Sequence, residues 1–144
     1  MILFLDVDGV CHPQEWRAAG VQELVFLPRI ESVLREFPKT QIVICSDWRV
    51  RKPWSEVLSI FAPDVPAMVT GATPVIPSED RWPAKHRYRE AMKYLSDNGM
   101  KDASWVALDD VAANWVIGDP QVIVAKDGFY DSEECALRHI LNGW

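Results

Sequence analysis

Five short apolar runs recur along the chain, and each breaks off into polar residues: Ile2–Leu5, Ile42–Cys45, Ala67–Val69, Trp105–Leu108 and Val122–Val124. Rich in Val, Ile and Leu, they have the length and continuity of strands buried on both faces. The intervals between them carry helical spacing. Pro28–Phe37 sets Ile30, Val33, Leu34 and Phe37 on one face, Pro53–Phe61 predicts a second helix, and Lys85–Ser96 groups Ala91, Met92 and Leu95. Ser132–Leu141 predicts a last helix, capped by Asp131 or Ser132, with Glu133 and Glu134 near the positive end of its dipole. Strands alternating with helices imply right-handed crossovers and a parallel sheet covered on both faces. Pro63, Pro66, Pro74, Pro77 and Pro83 mark a turn-rich crossing, and without repeats or low-complexity tracts the chain reads as one domain over 1–144.

In such a sheet, ligands gather beyond the carboxyl ends of the strands, so the residues following each run carry the chemistry. Asp6, Val7, Asp8 and Gly9 follow the first, Ser46, Asp47, Trp48 and Arg49 the second, Thr70 and Gly71 the third, Asp109 and Asp110 the fourth. The carboxylates of Asp6, Asp8, Asp109 and Asp110 and the hydroxyls of Ser46 and Thr70 therefore meet along one edge. Asp6 and Asp8 alternate with Val7 in an extended segment and so face the same way. That much negative charge demands a compensating cation, and an oxygen donor set lacking His and Cys is what magnesium prefers.

Composition narrows the classes. A length of 144 residues excludes two full catalytic domains but suffices for a real core, and 49% hydrophobic with 25% charged residues is ordinary for a globular protein. Against 15 Lys and Arg stand 21 Asp and Glu, a net charge of −6, so bare nucleic acid is not held by bulk electrostatics and would need a local basic strip. Cys11, Cys45 and Cys135 are odd in number and form no C-x-x-C, which argues against a disulfide framework or a zinc site and for a reducing, cytoplasmic setting. The apolar runs are too short to span a bilayer, and Asp6 interrupts the place where a secretory signal needs apolar residues, so neither membrane association nor targeting is expected.

Asp6-Val7-Asp8-Gly9-Val10 after an apolar strand resembles the first motif of the haloacid dehalogenase-like (HAD) superfamily. Ser46 after Ile42–Cys45 resembles its second motif, and Leu108-Asp109-Asp110 its acidic fourth. More narrowly, Asp8-Gly9-Val10 with His12-Pro13, Ser46-Asp47-Trp48-Arg49, Gly71-Ala72-Thr73-Pro74 and Trp105 to Asp110 are similar to the short HAD domains associated with bacterial RNA-repair proteins. The resemblance implies a Rossmann-like three-layer sandwich on a five-stranded parallel sheet. It also implies a magnesium-dependent phosphohydrolase that works through an aspartyl-phosphate. Asp6 would be the nucleophile, and Asp8 would protonate the leaving oxygen and then activate water, roles that the chemistry of two differently placed carboxylates also suits. Magnesium would be held by Asp6, the Asp8 backbone carbonyl and Asp109, with Asp110 a ligand through water or an orienter of the cationic residue. Ser46 would donate to the phosphoryl oxygens.

Three cations, Arg81, Lys85 and Arg87, compete for the family's cationic position, in a basic run that also holds Arg89. Arg87, three residues before Glu90, best matches the narrower pattern, while the spacing of Lys85 to Gly99 is closer to the general one. His12 and Arg49 are further candidates to touch substrate, with Trp48 beside them. The remaining tryptophans, Trp16, Trp54, Trp82, Trp115 and Trp144, read as packing residues, and Cys11 as a small buried apolar one. A competing reading is a HAD-like module that binds a phosphorylated ligand or partner and turns it over poorly. A receiver domain is disfavoured because no Asp ends Ala67–Val69. Neither Cys11–Leu27 nor Ala72–Pro83 is long enough to build a cap domain, so an open site and a large substrate are expected. A phosphorylated nucleic-acid end or a protein surface would serve, with Arg49, Arg51, Lys52 and the Arg81–Arg89 cations as a basic strip.

Overall fold

The computed structural model describes residues 1–79 and 84–143. Five strands, β1 (Ile2–Leu5), β2 (Gln41–Ile44), β3 (Val69–Ala72), β4 (Trp105–Asp109) and β5 (Val122–Val124), form an all-parallel sheet in the order β3-β2-β1-β4-β5. Helices α1 (Leu27–Glu36), α2 (Trp48–Arg51), α3 (Trp54–Ser59), α4 (His86–Asp97) and α5 (Asp131–Leu141) fill the crossovers and the end. The period-two alternation of β1 sorts the layers. Leu3 and Leu5 pack with Ile30, Val33 and Leu34 of α1, Val57 of α3, and Leu137 and Ile140 of α5. Ile2 and Phe4 pack on the opposite face with Ala91, Tyr94 and Leu95 of α4 and with Trp115. The result is the expected three-layer α/β sandwich.

Two elements differ from their expected bounds in ways that matter. The third strand runs over Val69–Ala72 instead of Ala67–Val69, because Pro66, which has no N–H to give a ladder, starts a short 3-10 turn over Pro66–Met68. Thr70 is thereby an exposed strand residue, and Thr73, buried, takes the position after the strand end. At the last helix Tyr130, not Asp131 or Ser132, is the N-cap, and its N–H donates to the Glu133 carboxylate at 2.9 Å. The four-residue α2 carries no helical period long enough to read.

Outside the isolated Asp8–His12 bridge, the described residues between β1 and α1 and between β3 and α4 hold neither helix nor strand, so among the described residues no cap domain stands over the carboxyl edge. Among the described residues no helix is long and apolar enough to cross a membrane.

Candidate active site

Adjacent strands β1 and β4 pair Leu5 with Leu108, which sets Asp6 beside Asp109 at the sheet edge; the Asp6 N–H donates to the Leu108 carbonyl at 3.0 Å. Asp110 completes the group, with one carboxylate oxygen from each residue within 4.8 Å of the others. Burial, then repulsion from Asp109 and Asp110, raises the Asp6 carboxyl well above its ordinary range despite the opposing pull of Arg87. Burial also raises Asp110, against a hydrogen bond from Gln14. Asp109 is held by the Val111 N–H and the Trp115 indole N–H, each at 2.9 Å, with Asn114 reaching both its oxygens. Gly9 makes room: its φ is +77°, and a Cβ there would lie 2.0 Å from the Asp110 Oδ2. Three crowded, hard oxygen donors fit a divalent magnesium-like cation.

Asp8 sits apart from this group. Its Oδ1 accepts from His12 Nε2 at 2.8 Å, and its Oδ2 from the Trp48 indole at 3.1 Å and from Arg51 at 3.2 Å. Two neighbouring carboxylates thus have different surroundings, one among acids and the other among donors.

Ser46 follows β2 and is buried, its Oγ accepting the Trp48 N–H at 3.2 Å, which leaves the hydroxyl hydrogen for a further acceptor. Arg87, in the first turn of α4, is buried; it donates to Asp47 at 2.8 Å and approaches Glu90 at 3.6 Å, while its Nε has no hydrogen-bond partner among the described residues. A buried guanidinium N–H without an acceptor is costly unless something occupies the space before it.

A cleft of about 590 Å³ gathers Asp6, Asp8, Ser46, Asp47, Arg51, Arg87 and Asp110, together with Gln14, His86 and Asn114. Asp109, only 1% exposed, lies behind Asp110 in the chain and outside the cleft lining. Two expected substrate contacts are instead internal. Arg49 donates to the carbonyls of Thr73, Cys45 and Ser46 and pairs with buried Glu90, so its planar fork is fully used inside the protein. His12 is 0% exposed and both its ring nitrogens are hydrogen-bonded. Lys85, just before α4, is exposed and does not line the cleft, and Arg81 lies outside the described residues. Trp48 and Trp115 are buried as packing residues, yet each also gives its indole N–H to a site carboxylate, a role that no spacing signals. Gln14 reaches Asp110 from the loop after β1 at 3.3 Å, and neither its residue type nor its interval marks it; Asp47, one of the residues after the second run, holds Arg87. Cys11 is buried, with its Sγ 3.7 Å from the Asp6 carbonyl.

A family model for the HAD domain in Swiss Army Knife RNA repair proteins matches residues 2–129, from β1 to just short of α5. No curated protein and no solved structure matches the chain.

Proposed function

The chain belongs to the family of HAD domains in Swiss Army Knife RNA repair proteins, and from that premise we propose that it hydrolyses phosphate monoesters through an aspartyl-phosphate. The observation that carries the reading is the split between the two carboxylates at the end of β1: Asp6 lies in the acidic group near Arg87, and Asp8 stands outside it among hydrogen-bond donors. With a cation held in that group, Asp6 would stay ionised for attack despite the repulsion that raises its carboxyl, and the Asp8 side chain, outside the group, would move the proton.

Asp6 attacks phosphorus and the ester oxygen leaves, taking a proton from Asp8. Water then attacks the acyl phosphate, giving its proton to Asp8 and releasing phosphate and free Asp6. Ser46 donates its hydroxyl hydrogen to a non-bridging oxygen, and Arg87, with its unpartnered Nε–H, donates to another. Magnesium, bound by Asp6, Asp109, Asp110 and the Asp8 carbonyl, would neutralise charge on the phosphoryl group. Asp109 keeps its orientation through Trp115, Asn114 and Val111.

The uncapped edge favours a bulky substrate that shields the chemistry itself, and the RNA-repair setting of the family favours a phosphorylated nucleic-acid end over a protein surface. Arg51 at the cleft supplies local positive charge on an acidic protein, and Lys52, next to it in the chain, lies over the Trp48 ring. A second reading, a binding module with little turnover, draws on Asp47, which engages the guanidinium that must receive phosphate. Magnesium-dependent hydrolysis of an aryl phosphate separates the two. Turnover abolished by chelator and by Asp6→Asn supports the enzyme; binding of phosphorylated ligand without turnover supports the module.

A further inference from the structure

The loop after β1 encloses an imidazole that the proposed reaction does not use. His12 is 0% exposed, its ring lies between Trp16 and Trp48 at centroid distances of 6.0 and 6.1 Å, and its Nδ1 accepts the Leu24 N–H at 3.0 Å. A backbone N–H can only donate, so Nδ1 carries the lone pair and the ring hydrogen resides on Nε2. That hydrogen is directed at the Asp8 Oδ1, 2.8 Å away. Leu24 itself holds a left-handed φ of 59°, a conformation leucine rarely adopts, where it makes this contact.

We infer that His12 is a positioning residue: its Nε2–H fixes the Asp8 carboxylate so that Oδ2 meets the leaving oxygen of the substrate. The inference rests on the phosphohydrolase reading, in which Asp8 is the general acid. Of the donors on Asp8, His12 is locked on both nitrogens and Trp48 is buried, whereas Arg51, with its side chain 60% exposed, is free to move when substrate enters. Oδ1 is thus anchored by an immobile donor, and Oδ2 has one contact that substrate can displace. A general acid displaced by an ångström loses much of its effect, and proton donation matters most where the leaving oxygen is basic.

Two amide variants separate positioning from scaffolding, because each replaces one ring nitrogen. In His12→Gln the amide N–H stands near Nε2 and keeps the donor to Asp8. In His12→Asn the amide oxygen stands near Nδ1 and keeps the acceptor for Leu24 but loses the donor. Positioning predicts that His12→Asn lowers kcat/KM, which reports the step in which the ester oxygen leaves, about 10- to 100-fold on an alkyl phosphate and far less on 4-nitrophenyl phosphate, while His12→Gln stays within about threefold on both. Melting temperatures of both variants record folding separately. Equal losses on the two esters, or the reverse order of the variants, would overturn the inference. Imidazole 15N spectra of the wild type give a readout that needs no turnover: an Nε2–H tautomer whose shift moves in Asp8→Asn is expected, and an Nδ1–H tautomer or an unresponsive ring would overturn the His12–Asp8 contact. Absent wild-type turnover strikes down the phosphohydrolase reading, and the spectra then decide the contact alone.

Discussion

At the scale of single residues, the acidic group is a source of instability held in place for chemistry. The folded-state ionisation of Asp6 is raised by burial and by Asp109 and Asp110, so its contribution to stability is present below the ordinary carboxylate range and is lost as pH rises through the folded-state value. At neutral pH, in chelator, Asp6→Asn should therefore be more stable than the wild type, by about 0.5–2 kcal/mol in urea denaturation. Magnesium should raise the melting temperature of the wild type and move that of the variant much less; equal shifts would show the cation binding elsewhere. Gly9→Ala attacks the same group sterically, since its Cβ would overlap Asp110 and its φ is positive. A loss of about 1–3 kcal/mol with weakened magnesium response is expected. The residues ending the first, second and fourth strands were legible in the sequence because each follows a plain apolar run. Their partners were not. That Trp115 bonds Asp109 or Leu24 caps the His12 ring depends on where side chains turn after the chain folds back, and apolar periodicity carries no such signal.

Elements add a second kind of information. Arg49 belongs to α2 and Glu90 to α4, and their buried pair ties the segment bearing Ser46 to the helix bearing Arg87. Arg49→Ala leaves Glu90 buried with only the more distant Arg87, and should cost about 3–5 kcal/mol of stability. Arg49→Lys should recover only part of this, because a single ammonium does not reproduce donation to three carbonyls and a carboxylate. Within the protein that remains folded, KM should rise far less than in Arg87→Ala; a KM effect as large as that of Arg87→Ala would return Arg49 to the substrate. The sequence leaves the partner of Arg49 open for a physical reason: a charged residue after a strand end serves equally as a clamp on phosphate or on neighbouring carbonyls, and here the carbonyls of Thr73, Cys45 and Ser46 take it. The third strand was misplaced for a related one. Val69–Ala72 is less apolar than Ala67–Val69, yet Pro66 draws Ala67 and Met68 into a 3-10 turn and leaves Val69 to open the strand.

The whole molecule sets what reaches the site. With a net charge of −6 and, among the described residues, no cap domain over the carboxyl edge, attraction for a polyanion rests on the basic residues around the cleft. Phosphorylated oligonucleotides should have a higher kcat/KM than the matching mononucleotides at fixed ionic strength, and that advantage should shrink as salt rises; a preference for mononucleotides would refute the large-substrate argument while sparing the phosphatase. In the proposed reaction Asp6 takes the phosphoryl group covalently. Acid quenching of the protein with magnesium and an aryl phosphate, followed by peptide mass spectrometry, should find one phosphoryl group on Asp6, enriched in Asp8→Asn and absent in Asp6→Asn. Steady turnover with no adduct on Asp6, or with turnover preserved in Asp6→Asn, would contradict the account.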